Sequence, residues 1–322
     1  MRRPLLAVLA LGLAACGGAG AGAEAPAAEA TNGTAVPTDE ATPTPVLPVT
    51  VTSEDGQQVT VADVSRIVPL EGNIAEVVFA LGLGDDVVGR DVAATFDEAS
   101  DLPVVTRAHD VSAESVLSLR PTVVLADTFT GPPDALDHIR NVGIPVVVLP
   151  RELEVAGVPD RVRRVAAALG VADAGEALAS RIEGEIADAV AGIDTTVRPR
   201  VAFLYMRGSA GVYLLGGPGS GADSMIEAAG GEDAGTAAGL ADAFTPLTSE
   251  ALVAAAPDVI LMTTTGLESV GGLDGLVQIP GIAQTPAGRD RRIVTMEDGL
   301  LYGFGARTPE ALRQLAAGIH QP

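Results

Sequence analysis

Between Asp173 and Ile193, Leu178, Ile182, Ile186, Val190 and Ile193 recur at helical spacing. They draw one apolar stripe, while Glu176, Arg181, Glu183, Glu185 and Asp188 largely take the other side. Asp173 is placed to cap the first turn, and Glu176 three residues later fits a capping box. The pattern predicts one helix over 173–193, about 20 residues and roughly 30 Å long.

The sequence on either side of this helix reads as one half written twice. Before it stands Glu114-Ser-Val-Leu-Ser-Leu-Arg-Pro121-Thr-Val-Val-Leu-Ala126; after it, in the same register, stands Glu250-Ala-Leu-Val-Ala-Ala-Ala-Pro257-Asp-Val-Ile-Leu-Met262. Each copy predicts a short helix that stops before a proline, followed by a strand apolar on both faces.

The other elements fall in order around the two copies. Arg66 to Leu70 predicts a strand, and Asn73 is placed to cap a helix that ends at Gly82. Val87-Val88-Gly89 reads as a further strand, and Gly143 to Leu149 closes the first sheet. A helix is predicted from Pro159 to Leu169, stopped by Gly170. Beyond the long helix come a strand at Arg200 to Tyr205, a glycine-rich loop at 216–221 and a helix at Asp223 to Ala229. A strand at Arg292 to Met296 and a helix at Pro309 to Ala317 end the chain. Strands alternating with helices predict an α/β fold: two Rossmann-like lobes with parallel sheets, 49–172 and 194–322, joined by the long helix. In such lobes ligands sit outside the carboxyl ends of the strands, here in a cleft between the lobes.

The first residues read as an address. Arg2 and Arg3 precede an apolar run, Leu5 to Leu13, too short for a lasting membrane helix. The run ends in Leu13-Ala-Ala-Cys16-Gly17, which resembles a bacterial lipobox; 1–16 is then a lipoprotein signal peptide and Cys16 the lipidated residue. Residues 17–48 are Ala, Gly, Thr and Pro with few large apolar side chains, which predicts a disordered tether. With a single cysteine, the chain can form no internal disulfide.

Composition excludes whole classes. Formal net charge is −22 and the sequence contains no lysine, so the basic face that nucleic acid requires is missing. The loop Gly216-Gly-Pro-Gly-Ser-Gly221 lacks the Gly-Lys-Ser/Thr of a phosphate loop, the G-x-G-x-x-G spacing and the nucleophile elbow. No H-E-x-x-H or cysteine pair offers a zinc site. The reading is a binding protein and not an enzyme.

Two polar features stand out. His109, in Thr106-Arg-Ala-His-Asp110, is on a loop ahead of a helix capped by Ser112. Tyr205 ends an apolar strand, and Arg207, two residues on, points to the same side in extended chain.

The body resembles the periplasmic-binding-protein class with a rigid inter-lobe helix, and within it the haemin-binding lipoproteins (HmuT-like) of actinobacterial haem importers. In the first lobe, Arg66-Ile-Val-Pro-Leu70 and the segment Glu114 to Pro121 carry the resemblance. In the second, it rests on Leu204-Tyr-Met-Arg-Gly-Ser-Ala-Gly-Val-Tyr213, Gly266-Leu-Glu-Ser-Val-Gly-Gly272 and Gln284-Thr-Pro-Ala-Gly288. The resemblance implies haem as the transported ligand, with His109 and Tyr205 as axial ligands and Arg207 supporting the tyrosine. Tyr213 is the competitor for Tyr205. It further implies docking on an ABC permease, with its ATPase, through one carboxylate per lobe, matched by Glu227 and Asp134.

Ferric haem accepts imidazole or phenolate. A guanidinium about 4 Å from the phenol, at an effective dielectric near 20, is worth up to roughly 4 kcal/mol, enough to favour phenolate. Arg90 and Arg107 are candidates for the haem propionates. Met262, at the end of the second copy's strand, is a candidate for haem contact through its thioether. The alternative on the same scaffold is a ferric siderophore or cobalamin.

Overall fold

The computed structural model describes residues 35–37, 42–107, 110–193 and 196–321. Fourteen strands are formed among them. In the first lobe these are β1 (Val49–Thr52), β2 (Gln58–Val61), β3 (Ile67–Pro69), β4 (Arg90–Asp91), β5 (Val104–Arg107), β6 (Asp110–Val111), β7 (Val123–Asp127) and β8 (Val146–Leu149). The second lobe holds β9 (Arg200–Arg207), β10 (Val212–Gly216), β11 (Glu232–Asp233), β12 (Phe244–Pro246), β13 (Val259–Thr263) and β14 (Ile293–Met296).

In the first lobe β3, β7 and β8 pair in parallel in that order, with a second small sheet β4-β5-β6 beside them and the hairpin β1-β2. The predicted strand at Val87 to Gly89 reduces to one bridge between Val87 and Ile67, and pairing resumes at β4. The second-lobe sheet runs β12-β10-β9-β13-β14 and is mixed. Strands β9, β13 and β14 are parallel as expected. Strand β10 returns antiparallel because β9 enters a tight turn, with Gly211 at φ 67°, in place of a crossover helix.

The duplication is present in the backbone. Helices α2 (Ala113–Ser118) and Ser249–Ala255 are capped alike, with Ser112 Oγ and Thr248 Oγ1 each accepting a backbone N–H three residues on. Each helix is left through a non-glycine residue at positive φ, Arg120 (51°) and Ala256 (41°), immediately before the proline. Proline disfavours the right-handed helical region for the residue before it, and both copies leave the helix there at positive φ.

Helices α1 (Gly72–Ala80), α3 (Pro133–Asn141), α4 (Val158–Ala168), α5 (Ala172–Val190) and α6 (Ala222–Ala228) complete the scaffold together with the last helix, Thr308–Ile319. The long helix α5 packs on α4 and on the last helix, burying Leu178, Ala179 and Ile182. Burying Leu178 and Ile182 stabilises the junction by about 1.5–3 kcal/mol each. Gly175 sets the spacing: a Cβ there would lie 2.2 Å from the Ala166 Cβ of α4.

The predicted capping box is absent. Residue Val171 takes the N-cap position without a side-chain bond, and Glu176 instead accepts from Arg163 of α4 at 2.7 Å. Asn73 does not cap α1 either; Glu71 holds that position with extended backbone and no side-chain bond. The C-terminal end of the expected tether lies on the body. Val36 is 3% exposed in the main core, and Val46 N–H donates to Gly170 O at 2.8 Å, where α4 turns into α5. Cys16 and the signal segment lie outside the described residues.

Candidate functional site

The carboxyl ends of the strands in both lobes carry the polar side chains that the core excludes. In the second lobe, Tyr205 and Arg207 occupy alternate positions of β9 and share one face of the sheet. The Arg207 guanidinium carbon lies 4.6 Å from the Tyr205 ring centroid, and the ring's other neighbour is Phe244, edge-on at 5.8 Å. Arg207 Nη1 donates to the Met206 carbonyl at 2.9 Å, and Nη2 donates to Asp298 Oδ1 at 2.9 Å. Asp298 follows β14 and also accepts from Thr265 Oγ1, at 2.8 and 2.7 Å. The guanidinium is therefore clamped from two strand ends beside the phenol. Its charge is shared with a carboxylate, so its field on Tyr205 is weaker than an isolated cation's.

Tyr302 lies against the same group. Its ring meets Phe203 edge-on at 5.7 Å, and its hydroxyl is buried with no hydrogen-bond partner among the described residues. Burial pushes that phenol well above its ordinary value; Tyr205 and Asp298 add to the effect and Arg207 opposes it.

In the first lobe, Glu71, Asp127 and Arg151 stand at the ends of the neighbouring strands β3, β7 and β8. Thr130 Oγ1 donates to Glu71 Oε1 at 2.6 Å, and Asp127 Oδ1 accepts from the backbone N–H of Phe129 and Thr130. Burial, with the Asp127 charge next to it, pushes the Glu71 carboxyl up to about 8. The Arg151 guanidinium lies on the Phe129 ring, 3.8 Å from its centroid.

Three contacts fix the lobes around these groups. Glu76 of α1 accepts from Arg307 N–H at 2.6 Å and from Arg307 Nε at 2.8 Å, with the two side chains only 2% and 5% exposed. Arg161 of α4 is buried and donates to the carbonyls of Gly303 and Phe304 at 3.2 Å; burial pulls it down to about 10. Thr95 Oγ1 donates to Glu297 Oε1 at 2.8 Å, and a Cβ at Gly72 would lie 2.6 Å from the Ala93 backbone, so the loop carrying Thr95 is held against α1.

Of the residues singled out from sequence, Tyr205 and Arg207 come together as expected. His109 lies outside the described residues; Arg107, two residues before it, is exposed at the end of β5. Arg90 turns away from the role given to it: its guanidinium donates to the carbonyls of Leu102, Asp91, Ala94 and Ser100, bracing the loop 91–102. Met262 pairs in register with Leu204, not Tyr205, and is 0% exposed in the core with Leu204 and Met206 on the sheet's other face. Tyr213 stands opposite Met206 and so also faces away from Tyr205. Asp134 in the first turn of α3 and Glu227 of α6 are exposed. Sequence reading missed Asp298, Thr265, Tyr302, Glu71, Phe129 and Arg151. A signal for most of them existed, since each but Tyr302 lies within about four residues of the carboxyl end of a predicted strand.

The family model for the periplasmic binding proteins matches residues 67–300. The chain belongs to the periplasmic binding protein family. Members of this family are binding proteins that work outside the cytoplasm. The periplasmic heme-binding protein RhuT from Roseiflexus sp. RS-1 in apo form is 44% identical, over 80% of this chain and 98% of that one, with a TM-score of 0.76. The heme-binding protein HmuT is 38% identical over 90% of this chain and 95% of its own, with a TM-score of 0.83. An uncharacterized ABC transporter substrate-binding lipoprotein of Bacillus subtilis (strain 168), YvrC, is 26% identical over 86% of this chain and 87% of its length. Among the described residues of this binding protein no helix is long and apolar enough to cross a membrane, and no group of three or more His, Cys, Asp or Glu side chains could hold a bare metal ion.

Proposed function

We propose that this binding protein captures haem between its lobes and delivers it to an ABC permease and its ATPase. Tyr205 ligates the iron as phenolate, and His109 ligates it from the first lobe. The observation that carries this reading is the Tyr205–Arg207–Asp298 assembly at the carboxyl end of the second-lobe sheet. A phenol normally titrates near 10. Ferric iron displaces its proton, and a guanidinium stacked on the ring and fixed by Asp298 favours the anion that results. The similarity to the heme-binding proteins RhuT and HmuT supports the same ligand. Lipidated Cys16 holds the body at the outer face of the membrane, and Glu227 and Asp134, both exposed, meet the permease. The body divides at the long helix, 49–172 before it and 194–322 after it.

Haemin titration tests the proposal. The wild-type protein gives a Soret band that saturates with added haemin. Tyr205→Ala shifts or broadens the band, His109→Ala changes it as well, and Arg207→Gln weakens the tyrosine ligand. No shift of the haemin Soret band on mixing with the protein, together with tight binding of a ferric siderophore or cobalamin, overturns the haem reading in favour of the other ligand. Wild-type spectra in all three variants overturn the ligand assignment.

A further inference from the structure

Most arginines placed around the cleft are committed. Arg207 is held by Asp298, Arg307 by Glu76, Arg161 by backbone carbonyls, and Arg90 by the carbonyls of its own loop. Arg151 differs. It is exposed, and among the described residues it makes neither an ion pair nor a hydrogen bond; its contact is the face of Phe129, 3.8 Å away.

Its position points it toward ligand. Arg151 stands two residues past β8, beside the end of β7, where Thr128 N–H donates to Leu149 O. The chain then touches the other lobe, with Val155 N–H donating to Ser224 Oγ of α6 at 2.9 Å. Residue 151 therefore lies on the floor between the lobes, at the strand ends where an α/β protein binds its ligand. The acidic groups beside it make no hydrogen bond or ion pair with it among the described residues. Glu71 accepts from Thr130 Oγ1, and Asp127 accepts from the backbone N–H of Phe129 and Thr130. A guanidinium held over an aromatic ring by its central carbon has N–H groups left for a bidentate carboxylate.

We propose that Arg151, held on Phe129, is a ligand-binding residue that takes a carboxylate of the bound molecule. Given the haem reading, on which this inference rests, that group is a porphyrin propionate. Of the two sequence candidates for this role, Arg90 is bound to carbonyls and Arg107 is exposed at the end of β5 without an aromatic platform among the described residues; Arg151, held on Phe129 at the strand ends, is the better placed.

The test compares haemin with its dimethyl ester, in which both propionates are neutral, on wild type, Arg151→Gln and Arg151→Lys. Arg151→Gln lowers haemin affinity about tenfold, as loss of one charge-assisted contact predicts. It leaves ester affinity and the Soret position unchanged, and Arg151→Lys recovers part of the loss. Equal haemin affinity in wild type and Arg151→Gln overturns the assignment and leaves the haem reading standing. An equal loss for haemin and ester shows a structural effect and also overturns it. A wild-type protein that leaves the haemin Soret band unshifted removes the haem reading, and this inference with it.

Discussion

The Glu76–Arg307 pair holds the two lobes at the base of the cleft, and its replacement has a computable consequence. Glu76 sits on α1 of the first lobe, and Arg307 immediately precedes the last helix of the second. Both side chains are almost fully buried; the Glu76 carboxylate accepts from the Arg307 backbone N–H at 2.6 Å and from Arg307 Nε at 2.8 Å. Burial raises the Glu76 carboxyl and Glu297 adds to that, while Arg307 pulls it back. Glu76→Gln keeps the volume and removes the charge, so Arg307 is left buried without a counter-ion. Removing one partner of such a pair costs about 3–5 kcal/mol, whereas replacing both by apolar residues of similar size is close to neutral. At roughly 2–4 °C per kcal/mol for a body of this size, the single variant melts on the order of 10 °C lower. Arg307→Met, which leaves the carboxylate alone, behaves likewise. The double variant Glu76→Met/Arg307→Met recovers most of the loss, short of wild type by about 1–3 kcal/mol for the Arg307 backbone N–H left without its acceptor. Urea unfolding of the four proteins measures the cycle, with equal slopes required for the comparison. Single variants within about 1 kcal/mol of wild type, or a double variant as unstable as the sum of the singles, refute the reasoning.

Two further outcomes follow from the packing and the charges. Glu71 is pushed from 4.5 to about 8, with Asp127, Asp91, Thr130, Arg151 and Arg161 around it. The folded protein thus binds a proton that the unfolded chain has already lost. Stability falls as pH rises from about 4.5 through about 8 and is flat above that, by at most on the order of 4–5 kcal/mol; Glu71→Gln removes this slope from a series of urea midpoints, and an unchanged slope refutes the account. Met262→Leu, a volume-conserving change in the core, costs less than about 1.5 kcal/mol and leaves the haemin spectrum unaltered, whereas a shifted Soret band would place Met262 at the ligand.

The large features of the fold were legible because they follow from local rules. A helical period, a proline after a short helix and an unbroken apolar run each have one cheap structural answer. The long helix therefore appears at Ala172–Val190, and both copies of the helix–proline–strand unit appear in register. The pairing of Tyr205 with Arg207 was legible for the same reason, since side chains alternate along a strand whatever its neighbours are. Cap assignments failed where a tertiary partner competed, as Arg163 does for Glu176.

Which cations are free to meet a ligand was not written in the chain order. Arg90 and Arg151 both follow apolar stretches, and nothing local separates them. The carbonyls that engage Arg90 belong to the loop that follows it, folded back onto its guanidinium, and the ring beneath Arg151 comes from the separate segment after β7. Met262 was misplaced because the face a strand presents depends on which residue its neighbour sets beside it; register with Leu204 turned Met262 into the core. Periodicity and chain stiffness act over a few residues and leave their mark there. Burial, the partner of a charge and the face of a sheet depend on contacts between segments far apart in the chain, and those exist only once the lobes have closed on each other.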